Sequence, residues 1–171
     1  GISPYRGCRR ECGVGNRRAL RSSIPCRGIS SRRNHNFRPC GVTALSRGGA
    51  VVHAVENNDL AIKAITQNFD SIKSSQFPGK FHLYSMNVHR FVADASQYKY
   101  HIIYIDPPYE VEDSDVTETL IHLHENGFLH QDALIAVERN SRVKELLWPD
   151  GYEEFRTKNY GQATIFYAYP A

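Results

Sequence analysis

At 171 residues the chain suits one domain that buries its own core without staples, and its longest apolar runs fall far short of the ~18–20 residues that cross a bilayer. No apolar stretch follows the N-terminal basic residues as it would in a secretory signal, so a cytoplasmic protein with no membrane contact is expected. The net charge of +3 hides an asymmetry: residues 1–50 hold eleven Arg, no Lys and one acid, Glu11, for +10, whereas residues 51–171 hold four Arg, six Lys and seventeen acids, for −7.

The first regime, residues 1–40, also holds all four cysteines. Cys8 and Cys12 form one close pair, while Cys26 and Cys40 stand alone, so the paired spacing of a zinc knuckle is missing and no metal is expected. Disulfides do not suit a cytoplasmic protein. The segment has no apolar alternation and no useful helical stripe. It reads either as a basic arm for nucleic acid or as an aberrant stretch such as a shifted reading frame.

From residue 41 the pattern becomes regular. "GVTALSRGGA" predicts a short helix stopped by Gly48-Gly49, and "VVHAVE", 51–56, a strand ending in an acid. "NNDLAIKAITQNFDSIKSS" has apolar residues near helical spacing, with Asn57 or Asn58 as its N-cap. "KFHLYSMN", 80–87, predicts a strand and "VHRFVADA" a short helix. "YHIIYID", 100–106, is a third strand. "SDVTETLIHLHENG" is a helix capped by Ser114 and stopped by Gly127. "ALIAVERN", 133–140, is a fourth strand, and "YEEFRTKNYGQATIFYAYP" gives two strands meeting at Gly161. Strands separated by helices of this length predict an α/β fold with a mostly parallel sheet, and the closing pair an antiparallel hairpin.

In such a sheet, ligands bind beyond the carboxyl ends of the strands, where three strands finish in hydrogen-bonding side chains: Glu56, Asn87 and Asp106. Glu56 can take ribose hydroxyls, or cap the next helix. Asn87 can present an amide to an adenine edge, or be an ordinary turn residue. The stretch Asp106-Pro107-Pro108-Tyr109 says more. Two prolines fix an extended turn whose carbonyls no following helix takes up. Asp106 adds a carboxylate beside them, and Tyr109 a flat ring. Together they suit a planar group bearing an NH2, such as a nucleobase. Otherwise "DPPY" is a plain strand-ending turn. The histidines are scattered; His122 and His124 do not share a helix face.

"IYIDPPY" resembles the D/N-P-P-Y/F motif of class I S-adenosylmethionine-dependent amino-methyltransferases. "ALSRGGAVVHAVENNDLAIKAITQNF", "YSMNVHRFV" and "NYGQATIFYAYP" resemble successive segments of the small bacterial 16S rRNA guanine-N2 methyltransferases, over residues 41–171. The resemblance implies a Rossmann-like sheet and S-adenosylmethionine as cofactor. It implies Asp106, Pro107, Pro108 and Tyr109 as the catalytic amine-binding motif. Glu56 would hold the cofactor's ribose, Asn57 would line the adenosine, and Asn87 and Val88 would meet the adenine. The implied partner of this expected monomer is 16S rRNA or the assembling small ribosomal subunit.

The family's first strand and glycine loop should immediately precede "ALSRG". Here that place reads "SSRRNHNFRPCGVTALSRG", with only Gly41 in register, so the first strand is expected to be missing or aberrant and activity is in question. "NRRALRSSI", 16–24, faintly resembles a helix of the family. The division is therefore an atypical segment, 1–40, and a methyltransferase domain, 41–171. Two alternatives stay open: an adenine- or other amine-directed DNA methyltransferase of the same fold, and a non-catalytic RNA-binding relative.

Overall fold

The computed structural model describes residues 27–31, 44–45, 48–72, 79–108 and 110–171. In chain order the elements are β1 (Arg27–Ser31), β2 (Val51–Glu56), α1 (Asp59–Ile72), β3 (Lys80–Ser85), α2 (Val88–Val92), β4 (Tyr100–Ile105), α3 (Asp113–Glu125), β5 (Leu129–Asn140), β6 (Tyr152–Tyr160) and β7 (Ala163–Pro170). The strands form one sheet in the order β3-β2-β1-β4-β5-β7-β6. The first five run parallel, and β7 pairs antiparallel with both β5 and β6. The predicted α/β sheet with a closing hairpin is therefore present.

One expectation is corrected at the middle of the sheet. The first strand is not missing: Arg27–Ser31 lies between β2 and β4, with Arg27 opposite Val51 and Ser31 opposite Ile105. No aliphatic run marks this segment. A central strand is held by backbone N–H and C=O groups pairing on both sides, which any non-proline sequence can supply.

Elsewhere the pattern follows burial. β4 and β5 lie inside the sheet, and Ile103, Ile135 and Val137 are fully buried, as strands covered on both faces require. α3 lays Val116, Leu120 and Leu123 against this core, a stripe at i, i+4, i+7. Ser114 does not cap α3. Glu112 is its N-cap and makes no side-chain capping bond, so Ser114 falls within the first turn. Gly127 ends the helix at φ 75°, where a side chain would be strained. β5 begins at Leu129 rather than at residue 133. Buried His53 shares a 2.6 Å hydrogen bond with the Tyr100 hydroxyl and belongs to the core.

Candidate functional site

The strand order turns at β1: β2 and β3 lie to one side, β4 and β5 to the other. At such a switch point the connections diverge and leave a crevice at the carboxyl edge. A cavity of about 840 Å³ opens at this edge, and among its walls are Glu56, Asn57, Asn87, Val88, Asp106, Pro107 and Pro108. Seven of the eight residues predicted from sequence thus meet in one place. The eighth, Tyr109, lies outside the described residues, as do Cys8, Cys12, Cys26, Cys40, the string 16–24 that faintly resembles a helix of the family, and the glycine-loop position at Gly41.

Glu56 comes from the end of β2 and is 5 % exposed. Its two oxygens differ in their partners. Oε1 accepts from the backbone N–H groups of Asn57 and Asn58, at 2.9 Å each, and holds the turn. Oε2 is buried and has no hydrogen-bond partner among the described residues. A buried acceptor left unmade is costly, and the donors it calls for are hydroxyls or N–H groups entering the cavity. The cap of α1 is Asn58, whose Oδ1 accepts from Leu60 and Ala61 at 3.1 Å each.

Asn87 is the N-cap of α2, and its Oδ1 accepts from the His89 N–H at 2.8 Å. Its carbonyl oxygen is thus engaged in the cap. The Val88 N–H, at the first position of α2, has no acceptor within the helix. Met86, Ile105 and Val116 add apolar wall.

Asp106, Pro107 and Pro108 follow β4 directly. Pro108 departs from expectation: its carbonyl is not open but accepts from the Val111 N–H at 3.0 Å. The two prolines keep the chain out of a helix, yet the backbone still closes on itself one residue later. The Pro107 carbonyl receives no hydrogen bond among the described residues, so it remains the acceptor beside Asp106.

The cavity's charge is not visible in the sequence pattern. Among the described residues its walls carry five acids, Glu56, Asp106, Glu110, Glu112 and Asp115, and no Lys or Arg. Such a lining favours a cation and disfavours phosphate. Around its rim His89, Asp115 and Glu118 bring ligand atoms within 4.8 Å of one another, and His122 approaches Glu118 at 3.8 Å. Asp115 and Glu118 are exposed, a surface charge cluster rather than a buried donor set.

Arg139 also escapes the sequence reading. It is buried near the end of β5 and reaches the loop that follows Pro108. Its one signal is its phase: Ile135, Val137 and Arg139 alternate along one strand.

No curated protein matches the chain. Residues 39–169 match the family model described as Conserved hypothetical protein 95. Among solved structures the chain is similar to a proposed methyltransferase of Escherichia coli, with TM-score 0.72 and 22 % identity over 93 % of this chain and 85 % of that one. It is also similar to a proposed methylase of Haemophilus influenzae, with TM-score 0.75 and 18 % identity over 98 % and 99 %. A conserved hypothetical protein of Streptococcus pyogenes gives TM-score 0.65 and 22 % identity over 85 % and 86 %. At these identities the likeness is one of fold.

Proposed function

Because the chain belongs to the Conserved hypothetical protein 95 family of class I methyltransferases, we propose that it methylates the exocyclic N2 amine of a guanine in 16S rRNA, using S-adenosylmethionine. The observation that carries this reading is the acid-lined cavity whose walls bring together Glu56, with its half-satisfied carboxylate, Asp106 and Pro107.

The residues present fit the cofactor. Glu56 Oε2 is a buried acceptor waiting for a donor, which a ribose hydroxyl supplies. Asn57 and Val88 border the same cavity and would flank the nucleoside, with the Val88 N–H turned to a ring nitrogen. The acidic lining suits a positively charged ligand. When bound, the cofactor supplies an electrophilic methyl group on a sulfonium.

What remains is the work of this chain. An exocyclic guanine amine is a poor nucleophile because its lone pair is delocalised into the ring. Asp106 and the Pro107 carbonyl accept its N–H groups and favour a pyramidal nitrogen with the lone pair turned away from them. Tyr109 offers the base a stacking surface. Positioning of this kind carries most of the rate. The guanine must leave its stack to enter, and the acidic walls admit the base while its phosphates stay outside. The substrate is free 16S rRNA or the assembling small subunit, met by a cytoplasmic monomer. The motif resemblance and the eleven arginines of residues 1–50 support RNA as that substrate.

The test is methyl transfer from labelled S-adenosylmethionine to 16S rRNA from cells that lack this modification. The expected product is N2-methylguanine at one position. Label in adenine, or in DNA only, refutes the reading.

A further inference from the structure

Resting on the site reading above, we infer that Arg139 is a positioning residue that fixes the amine-binding loop from behind. It stands next to last in β5. Val137 pairs with Ile105 of β4, so Arg139 is two residues beyond the level of Ile105 and one beyond that of Asp106. Its side chain is 5 % exposed. Nη2 donates to the Val111 carbonyl at 2.6 Å and to Asp113 Oδ1 at 2.7 Å. The Val111 N–H in turn donates to the Pro108 carbonyl at 3.0 Å. The loop that begins at Asp106 is therefore held at both ends, by β4 at its start and by Arg139 at its finish. Asp113 opens α3, which has no side-chain capping bond, so the same ion pair also sets where that helix begins.

Stability alone does not account for this arrangement. Nε and Nη1 of Arg139 are buried with no partner among the described residues, and buried donors left unmade weaken a fold. The anion opposite, Asp113, is more than half exposed, so the pair gains little from a dry interior. An apolar side chain would fill the same space without open donors. What it could not do is grip a backbone carbonyl and a carboxylate from one planar group. The grip bears on the nucleic acid side of the cavity: Val111 lines it with Pro107 and Pro108, whereas Glu56 stands on β2.

The experiment compares Arg139→Lys, Arg139→Met and Asp113→Ala with the wild-type chain in three readouts. These are S-adenosylmethionine affinity by calorimetry, turnover on 16S rRNA, and amide hydrogen exchange over residues 106–113. Arg139→Met should keep cofactor affinity within about twofold, lose turnover by about tenfold to hundredfold as displaced reacting groups do, and raise exchange at Val111 by about tenfold or more. Arg139→Lys keeps the charge and one nitrogen that can donate to both acceptors, and should fall between wild type and Arg139→Met. Asp113→Ala, at an exposed site whose truncation leaves the core intact, should give the same pattern in weaker form. Unchanged turnover and exchange in folded Arg139→Met, or in Asp113→Ala where the former does not fold, overturns the inference. Equal loss of cofactor affinity in all three also overturns it, because Arg139 would then support the whole domain. A wild-type chain that binds no S-adenosylmethionine defeats the function proposed above, while the exchange result still decides whether Arg139 holds the loop.

Discussion

A single carboxylate holds the fold with one oxygen and leaves the other to the proposed site. Glu56 Oε1 secures the turn into α1 while Oε2 stays buried and unpartnered among the described residues. Glu56→Gln separates the two: an amide oxygen can still accept from Asn57 and Asn58, but an NH2 replaces the acceptor offered to the cavity. Cofactor affinity should fall by about 1.5–3 kcal/mol, as for a hydrogen bond to a charged group, with thermal stability little changed. Calorimetry giving equal affinity in the variant removes Glu56 from the site. This residue is legible in sequence because an acid at the end of a β-branched run breaks the strand's pattern. Arg139 is not, because a charged residue at a strand end reads as solvent-facing unless its phase with Ile135 and Val137 is followed. Asn87 is half legible: its place is right, but its carbonyl oxygen belongs to the cap of α2.

At the scale of elements, β2 to β7 follow from alternation, apolar runs and turn residues. β1 does not, because "RGISS" carries no such pattern, although its backbone pairs with both β2 and β4. The hairpin is fastened to α3 by Tyr152, whose hydroxyl donates to the Leu120 carbonyl at 2.6 Å. Burial pushes this phenol well above its ordinary 10.0, so the folded chain keeps a proton that the unfolded chain releases. The contribution is intact below pH 10 and declines as pH rises further. Tyr152→Phe should lose about 0.5–1.5 kcal/mol at neutral pH and show a shallower alkaline decline. Denaturant midpoints measured from pH 8 to 11 check this; parallel curves for the two proteins would show that Tyr152 is not the group responsible.

Across the whole molecule, charge is divided unevenly along the chain. Residues 51–171 carry −7, and the described cavity walls hold no Lys or Arg, so in the proposed function attraction for RNA would fall to the arginines of residues 1–50. Deleting residues 1–40 cannot test this, because it also removes the central strand. Replacing Arg6, Arg9, Arg10, Arg17, Arg18 and Arg21 with Gln leaves β1 intact. The plot of log affinity for RNA against log salt should then flatten by ~0.7 for each phosphate no longer neutralised. An unchanged slope would mean these arginines are not an RNA arm and would favour the aberrant-segment reading.

The central claim is that this cavity orients an amine for methylation, and Asp106→Ala tests it most directly. In the proposed reaction the hydrogen bond from the amine to Asp106 would belong to the transition state, so removing it should appear in turnover and not in cofactor binding. In the methyl-transfer assay on unmodified 16S rRNA, the variant should lose nearly all turnover while S-adenosylmethionine affinity stays within about twofold of wild type. Full turnover in Asp106→Ala would contradict the account and leave Asp106-Pro107-Pro108 as nothing more than the end of a strand.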